Sequence, residues 1–192
     1  MKNKTEHSLF AMLLWFGLIL GLSQTSIASD LKNDNAAVVG QFKKELKSEL
    51  MLAISQGGAV HAISVCAEKA PLIASRLSRM HGVKLQRISD RVRNPLNTPS
   101  ESQSELLNFF TQNPDESSVF IEEAGSSASV YAEAIRIEGP CLLCHGSSVS
   151  TEVLEKLNAQ YPFDRASGYE LGELRGLFSV EREATNSRQR AK

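Results

Sequence analysis

The chain has 192 residues, with 21 Lys and Arg against 22 Asp and Glu, a formal charge of −1, and 42% hydrophobic residues. That is about one ordinary domain with enough apolar material for a real core. There is neither a basic excess that would mark a nucleic-acid binder nor an acidic block for a cationic partner.

The N-terminus has the layout of a secretory signal. Lys2 and Lys4 form a basic start, Leu9 to Leu22 form an apolar run interrupted only by Gly17 and Gly21, and Ser26-Ile27-Ala28 supplies small residues for cleavage. The run is 14 residues long, short of the roughly 20 that span a bilayer. Residues 1–28 are therefore expected to be removed after Ala28, delivering the chain to the bacterial periplasm without stable membrane insertion. The mature chain would hold 164 residues (192 − 28) and a balance of 19 basic to 21 acidic, once Lys2, Lys4 and Glu6 are gone.

Residues 29–37 are polar and are expected to be flexible. Val39, Phe42, Leu46, Leu50, Ala53 and Ile54 then recur at helical spacing, with Lys43, Lys44, Glu45, Lys47 and Glu49 opposite. Gly57-Gly58 stops that helix, and a second begins near Ala59. Its stripe of Ile63, Cys66, Ala70, Ile73, Ala74 and Leu77 places Cys66 on the face to be buried, Pro71 kinks or restarts it, and Gly82 closes it.

Lys84 to Ser89 is short and alternating, as a strand is. Asn94-Pro95 and Thr98-Pro99 mark a loop. Ser100 with Gln103 forms a capping box ahead of Leu106, Leu107, Phe109 and Phe110, and Asn113-Pro114 ends that helix. Val119 to Ile121 and Val130 to Glu138 read as a hairpin, broken by Gly139-Pro140. Ser150 opens a helix with the stripe Val153, Leu154, Leu157 and Tyr161, Leu174 to Val180 is a final strand with Gly176 inside it, and 181–192 is a polar tail expected to be disordered.

The hairpin delivers the chain into Cys141-Leu142-Leu143-Cys144-His145. Two thiols three positions apart can add to the two vinyl groups of one porphyrin, and the next residue then presents an imidazole to the iron, so the motif reads as one covalent haem c site. A zinc site would need further ligands, and Cys66, His61 and His81 form no second paired motif. A thioredoxin-like redox pair would sit on the opening turn of a helix after a buried strand, which is not the context here.

Cys66 is then a lone thiol in an oxidising compartment. The other candidates for the second face of the iron are Met51, Met80, His61 and His81. On a continuous helix Met80 lies about 21 Å along the axis from Cys66, and His61 roughly 140° around it. Cys66 is favoured, against the alternative of an inert buried cysteine and against a five-coordinate iron.

Ala62 to Pro71, Arg87-Ile88-Ser89 with Arg93-Asn94-Pro95-Leu96-Asn97, Pro140 to Gly146, and Gly168 to Val180 together resemble a bacterial family of single c-type haem domains. That family was long catalogued as a domain of unknown function and occurs as small exported proteins and as sensor modules. The resemblance implies an α+β fold, a PAS-like antiparallel sheet flanked by helices over residues 38–180, with the haem between helix and sheet. It also implies His145 and Cys66 as the axial ligands. Where the family has an aromatic residue after Asn97, this chain has Ser100 to Ser104.

Arg87, Arg91 and Arg93 are candidates for haem propionates, since guanidinium matches carboxylate in a bidentate fork, and Tyr161, Phe163 and Tyr169 are candidates for the pocket wall. The functional expectation is a periplasmic monohaem cytochrome sensing redox state or a diatomic gas and signalling to a protein partner. Electron transfer is the alternative, a zinc-binding structural domain the lesser one. No distal histidine and arginine pair stands next to Cys66, so an enzyme such as a peroxidase is not expected.

Overall fold

The structure is a computed structural model, and it describes residues 6–123 and 126–184, with side chains from residue 28 onward. The first five residues of the expected signal and residues 185–192 of the expected tail lie outside the described residues.

Helix α1 is assigned to Glu6–Ser64, but Gly57 and Gly58 inside it are not helical, and Gly58 has φ 69°. The glycine pair therefore divides α1 as the sequence predicts. A π-helical turn, Val65–Lys69, joins it to α2, Ala70–His81, in which Pro71 sits in the first turn. Pro71 stands where the π-turn, closed by the Ala70 amide bonding to Val65 O, hands over to α2, and Gly82, in the left-handed region at φ 61°, caps the far end.

Strands β1 (Lys84–Ile88), β2 (Ser118–Glu122), β3 (Ser129–Arg136) and β4 (Leu174–Arg182) form one antiparallel sheet in the order β1-β4-β3-β2. Successive residues of β4 serve opposite faces. Phe178 and Val180 pack with Val38, Val39 and Phe42 of α1 and Leu77 of α2, while Leu177 packs with Leu107 and Phe110 of α3, Glu101–Gln112. The sheet is thus covered on both faces. Helix α3 starts on the predicted capping box, in which Ser100 and Gln103 satisfy each other's backbone amides.

Three expectations are corrected. Residues 29–37 are helical, and Asn35 is fully buried, its Oδ1 accepting a 2.8 Å bond from Arg182. By the same contact Glu181 and Arg182 belong to β4 rather than to a tail. Ser150 precedes helix α5, Thr151–Gln160, but its side chain makes no cap bond. At Pro71 the helix restarts, one of the two outcomes expected there, with α2 following directly on the π-turn.

The register between β3 and β4 breaks at one place. Ile135 pairs with Gly176 and Arg136 with Leu174, so Arg175 is the extra residue of a bulge. Gly176 has φ 154°, and a Cβ placed on it would stand 2.2 Å from the Ile88 carbonyl oxygen. Gly176→Ala is expected to destabilise the chain by about 1–3 kcal/mol through backbone strain and overpacking; an unchanged urea midpoint would remove Gly176 as the reason the bulge fits.

Candidate functional site

The bulge and the end of β3 open onto a cavity with about 1140 Å³ of empty volume, its open mouth included. Its walls come from three sources. Leu46, Leu50 and Ile54 of α1, with Ala62, Ile63 and Cys66 beyond the glycine break, form one side. Arg87 and Ile88 of β1 with Ile135, Arg175 and Phe178 form the sheet side. Cys141, Leu143, Cys144 and His145 close the third.

The cysteine motif is held as a single helical turn. Gly139–Cys141 is a 3-10 turn leaving β3, and α4 is Leu142–His145. Three residues' spacing in such a turn puts Cys141 and Cys144 on one face. Gly146 then lets the chain leave close to its own turn, since a Cβ there would meet the Leu142 carbonyl oxygen at 2.7 Å. Beyond it, the Tyr169 amide donates to His145 O and the Gly168 amide to Gly146 O, both at 2.9 Å. The motif is therefore strapped to the loop that precedes β4.

That strap also fixes the imidazole. Nδ1 of His145 lies 2.7 Å from the Ala166 carbonyl oxygen, which can only accept, so Nδ1 carries the proton and Nε2 keeps its lone pair. Tyr169 packs edge-on behind the ring, with centroids 6.3 Å apart. Burial, then the positive charges of Arg175 and Arg93, push the His145 pKa down to about 2. Burial likewise pushes the Cys144 thiol up, against the pull of Arg93. All three cysteines are free.

Cys66 enters the cavity from the π-turn. The predicted stripe is split there: Ile63 packs with Val153, Leu157 and Tyr161, while Ala70 and Leu77 pack on the sheet. Between them Cys66 is half-buried and lines the cavity rather than the core. Met51 and Met80 are exposed, as are His61 and His81, and none of the four lines this space. Among the described lining residues, the sulfur and imidazole donors are Cys66, Cys141, Cys144 and His145.

The remaining predicted site residues separate. Arg87 and Tyr161 line the cavity. Arg87 points inward from the same sheet face as Leu85, with its guanidinium 5.7 Å from the Phe42 ring, and burial lowers its pKa. Arg93 also lines it but is committed elsewhere: it binds Asp164, Cys144 O at 2.6 Å and Ala166 O at 3.1 Å. Arg91 is not on the lining; it lies over the Tyr169 ring at 3.8 Å and binds Glu173 and Ser167 O. Tyr169 is buried behind His145 rather than on the wall, and Phe163 is 74% exposed, so both are corrected as wall residues.

Sequence reasoning missed Arg175, whose bulge position turns it into the cavity, where Nη1 binds Ser89 Oγ at 2.7 Å and Nε is buried without a partner among the described residues. The isolated Gly176 was the available signal, since glycine within a strand often marks a bulge. It also missed Asp164 and Ala166, which stand in a loop with no spacing to mark them.

This site suits a flat group with acidic edges. The wall is largely apolar, the buried Nε of the lining Arg175 has no partner among the described residues, and one imidazole nitrogen is left free. Zinc fits less well, because among the described residues no three His, Cys, Asp or Glu side chains cluster.

The low pKa of His145 has a consequence for the haem-free chain. Its folded value lies below the ordinary 6.5, so the neutral ring contributes its full stability above that pH, and the contribution is lost as pH falls from about 6.5 toward 2. In a Cys141→Ala/Cys144→Ala background, the chain with His145 is expected to lose up to about 1.4 kcal/mol per pH unit more than its His145→Asn counterpart between pH 6 and 4. Parallel denaturation profiles would show that the ring is not held neutral.

Comparison with known proteins gives two matches. A family model described as Tll0287-like matches residues 23–182. A solved structure, that of the cyanobacterial heme-protein Tll0287, superposes with a TM-score of 0.59 over 77% of this chain and 92% of that one, at 22% identity. No curated protein matches the chain.

Proposed function

The chain belongs to the Tll0287-like family, and on that premise we propose that it is an exported c-type cytochrome, with one covalent haem, that senses redox state or a diatomic gas in the periplasm. The observation that carries this is the convergence of Cys141, Cys144, His145 and Cys66 on one cavity between α1 and the sheet. The cyanobacterial protein of similar fold is a heme-protein, which supports the same cofactor here.

Haem, when bound, supplies a one-electron couple and an iron that can take a small ligand. The residues around it divide the work. Cys141 and Cys144 would carry the thioether bonds, and His145 would offer Nε2 with its tautomer already fixed by Ala166. Cys66 would offer its sulfur from the helix wall. Arg87 and Arg175 are better placed than Arg91 or Arg93 to meet the propionates, because their inward guanidinium groups lack a carboxylate partner among the described ion pairs.

Sensing requires a ligand that can leave. Cys66 sits on a π-turn, a helical irregularity that often accompanies functional sites, and a thiolate is the donor more suited to ferric than to ferrous iron. Electron transfer is the second reading, favoured by Leu143, which is 48% exposed between the two cysteines and would bring an apolar edge of the site to the surface.

Protein matured with a cytochrome c assembly system is expected to begin at Ser29 and to keep its haem through acid-acetone extraction. A colourless product, or one whose haem extracts, would refute the cofactor assignment. Cys66→Ala is expected to abolish a thiolate-type ferric spectrum, and carbon monoxide is expected to bind the ferrous wild type; a ferrous form inert to carbon monoxide would move the assignment to electron transfer.

A further inference from the structure

We propose that Arg93 and Asp164 are a charge-compensated pair that sets the reduction potential of the iron bound at His145, acting through the carbonyl of Ala166. The inference rests on His145 being the iron ligand, and it makes both members positioning residues.

The geometry joins three groups at one oxygen. Ala166 O accepts from His145 Nδ1 at 2.7 Å and from Arg93 Nη2 at 3.1 Å, which uses both of its lone pairs. Asp164 holds the other side of the same segment: its Oδ2 accepts from Arg93 at 3.0–3.1 Å and its Oδ1 from the Ala166 amide at 2.8 Å. Arg93 also donates to Cys144 O at 2.6 Å, one residue before the ligand. The Arg93 and Asp164 side chains are only 9% and 10% exposed, and Ala166 is fully buried, so their charges act with little screening by water.

The partner on the far nitrogen of a ligating imidazole controls how basic the near nitrogen is. A more negative acceptor strengthens the hydrogen bond from Nδ1–H, gives the ring imidazolate character and favours ferric iron. Arg93 draws charge from that acceptor, and Asp164 offsets Arg93, so the intact pair leaves the ring close to neutral. Removing the cation alone leaves a buried carboxylate and a stronger acceptor, both of which favour the ferric state. Removing the anion alone leaves a buried cation that favours the ferrous state. Loosening of the loop, the purely structural consequence, gives no reason for the two changes to have opposite signs.

The test is the midpoint potential of holoprotein by spectroelectrochemistry for wild type, Arg93→Gln, Asp164→Asn and the double variant, each first checked for one covalent haem. Arg93→Gln is expected to shift the couple about tenfold toward ferric, about 59 mV lower for one electron. Asp164→Asn is expected to shift it upward by a comparable factor, and the double variant to return within threefold of wild type. Single variants that move in the same direction, or by less than threefold, overturn the proposal. If Arg93→Gln does not accumulate, Asp164→Asn decides alone, an unchanged or lowered potential counting against the pair. Wild type without covalent haem would overturn the reading of the site, and the pair's role with it; a haem-loaded wild type with insensitive variants overturns the pair only.

Discussion

The carbonyl of Ala166 is the point on which the site turns. It fixes the tautomer of His145, anchors Arg93, and through the neighbouring amide engages Asp164. A buried arginine would be costly were it not paired and fully hydrogen-bonded, and here its donors reach a carboxylate and two main-chain oxygens. Those oxygens belong to the motif helix and to the loop before β4, so the interaction that makes Arg93 tolerable is also the one that joins the motif to the sheet.

The cavity is built at the end of this arrangement, where the two sheet-covering layers stop. Val38, Val39, Phe42 and Leu77 fill one face of the sheet and Leu107 and Phe110 the other. Beside Phe178 stands Arg87, and with Arg175 they border the open space, bounded by α1 on both sides of Gly57-Gly58. Within Ala28–His81 one 18-residue window is apolar enough by composition to be taken for a membrane span. Leu50, Ile54, Ala62 and Cys66 give that apolarity another purpose: it lines a pocket.

Much of this was legible in the sequence because it rests on local rules. The capping box at Ser100, the glycine stop at 57–58, the Gly82 cap and the hairpin ahead of the motif all depend on residues a few positions apart. Cys141, Cys144 and His145 were legible for the same reason, and Cys66 because a lone thiol on an apolar stripe demands an explanation. What stayed hidden depends on contacts across the fold. Arg91 and Arg93 differ by two positions and look alike in sequence, yet one stacks on Tyr169 at the back of the site and the other is locked to Asp164, some seventy positions away. The aromatic residues divide the same way: Tyr161 reaches the wall, Tyr169 is behind it and Phe163 faces out.

The π-turn at Val65–Lys69 also acts on everything after it. A helix carrying an extra residue in one turn is a phase shifter: the residues beyond are rotated by about 100° relative to an unbroken α-helix. That rotation lets Ile63 face α5, Cys66 face the cavity, and Ala70 with Leu77 face the sheet, all along nearly continuous helix. Adding or removing a residue between Cys66 and Pro71 would turn either the thiol or the sheet-packing stripe to the wrong side. The interval from Cys66 to Pro71 is thus a fixed spacing, in the same sense as the interval from Cys141 to Cys144.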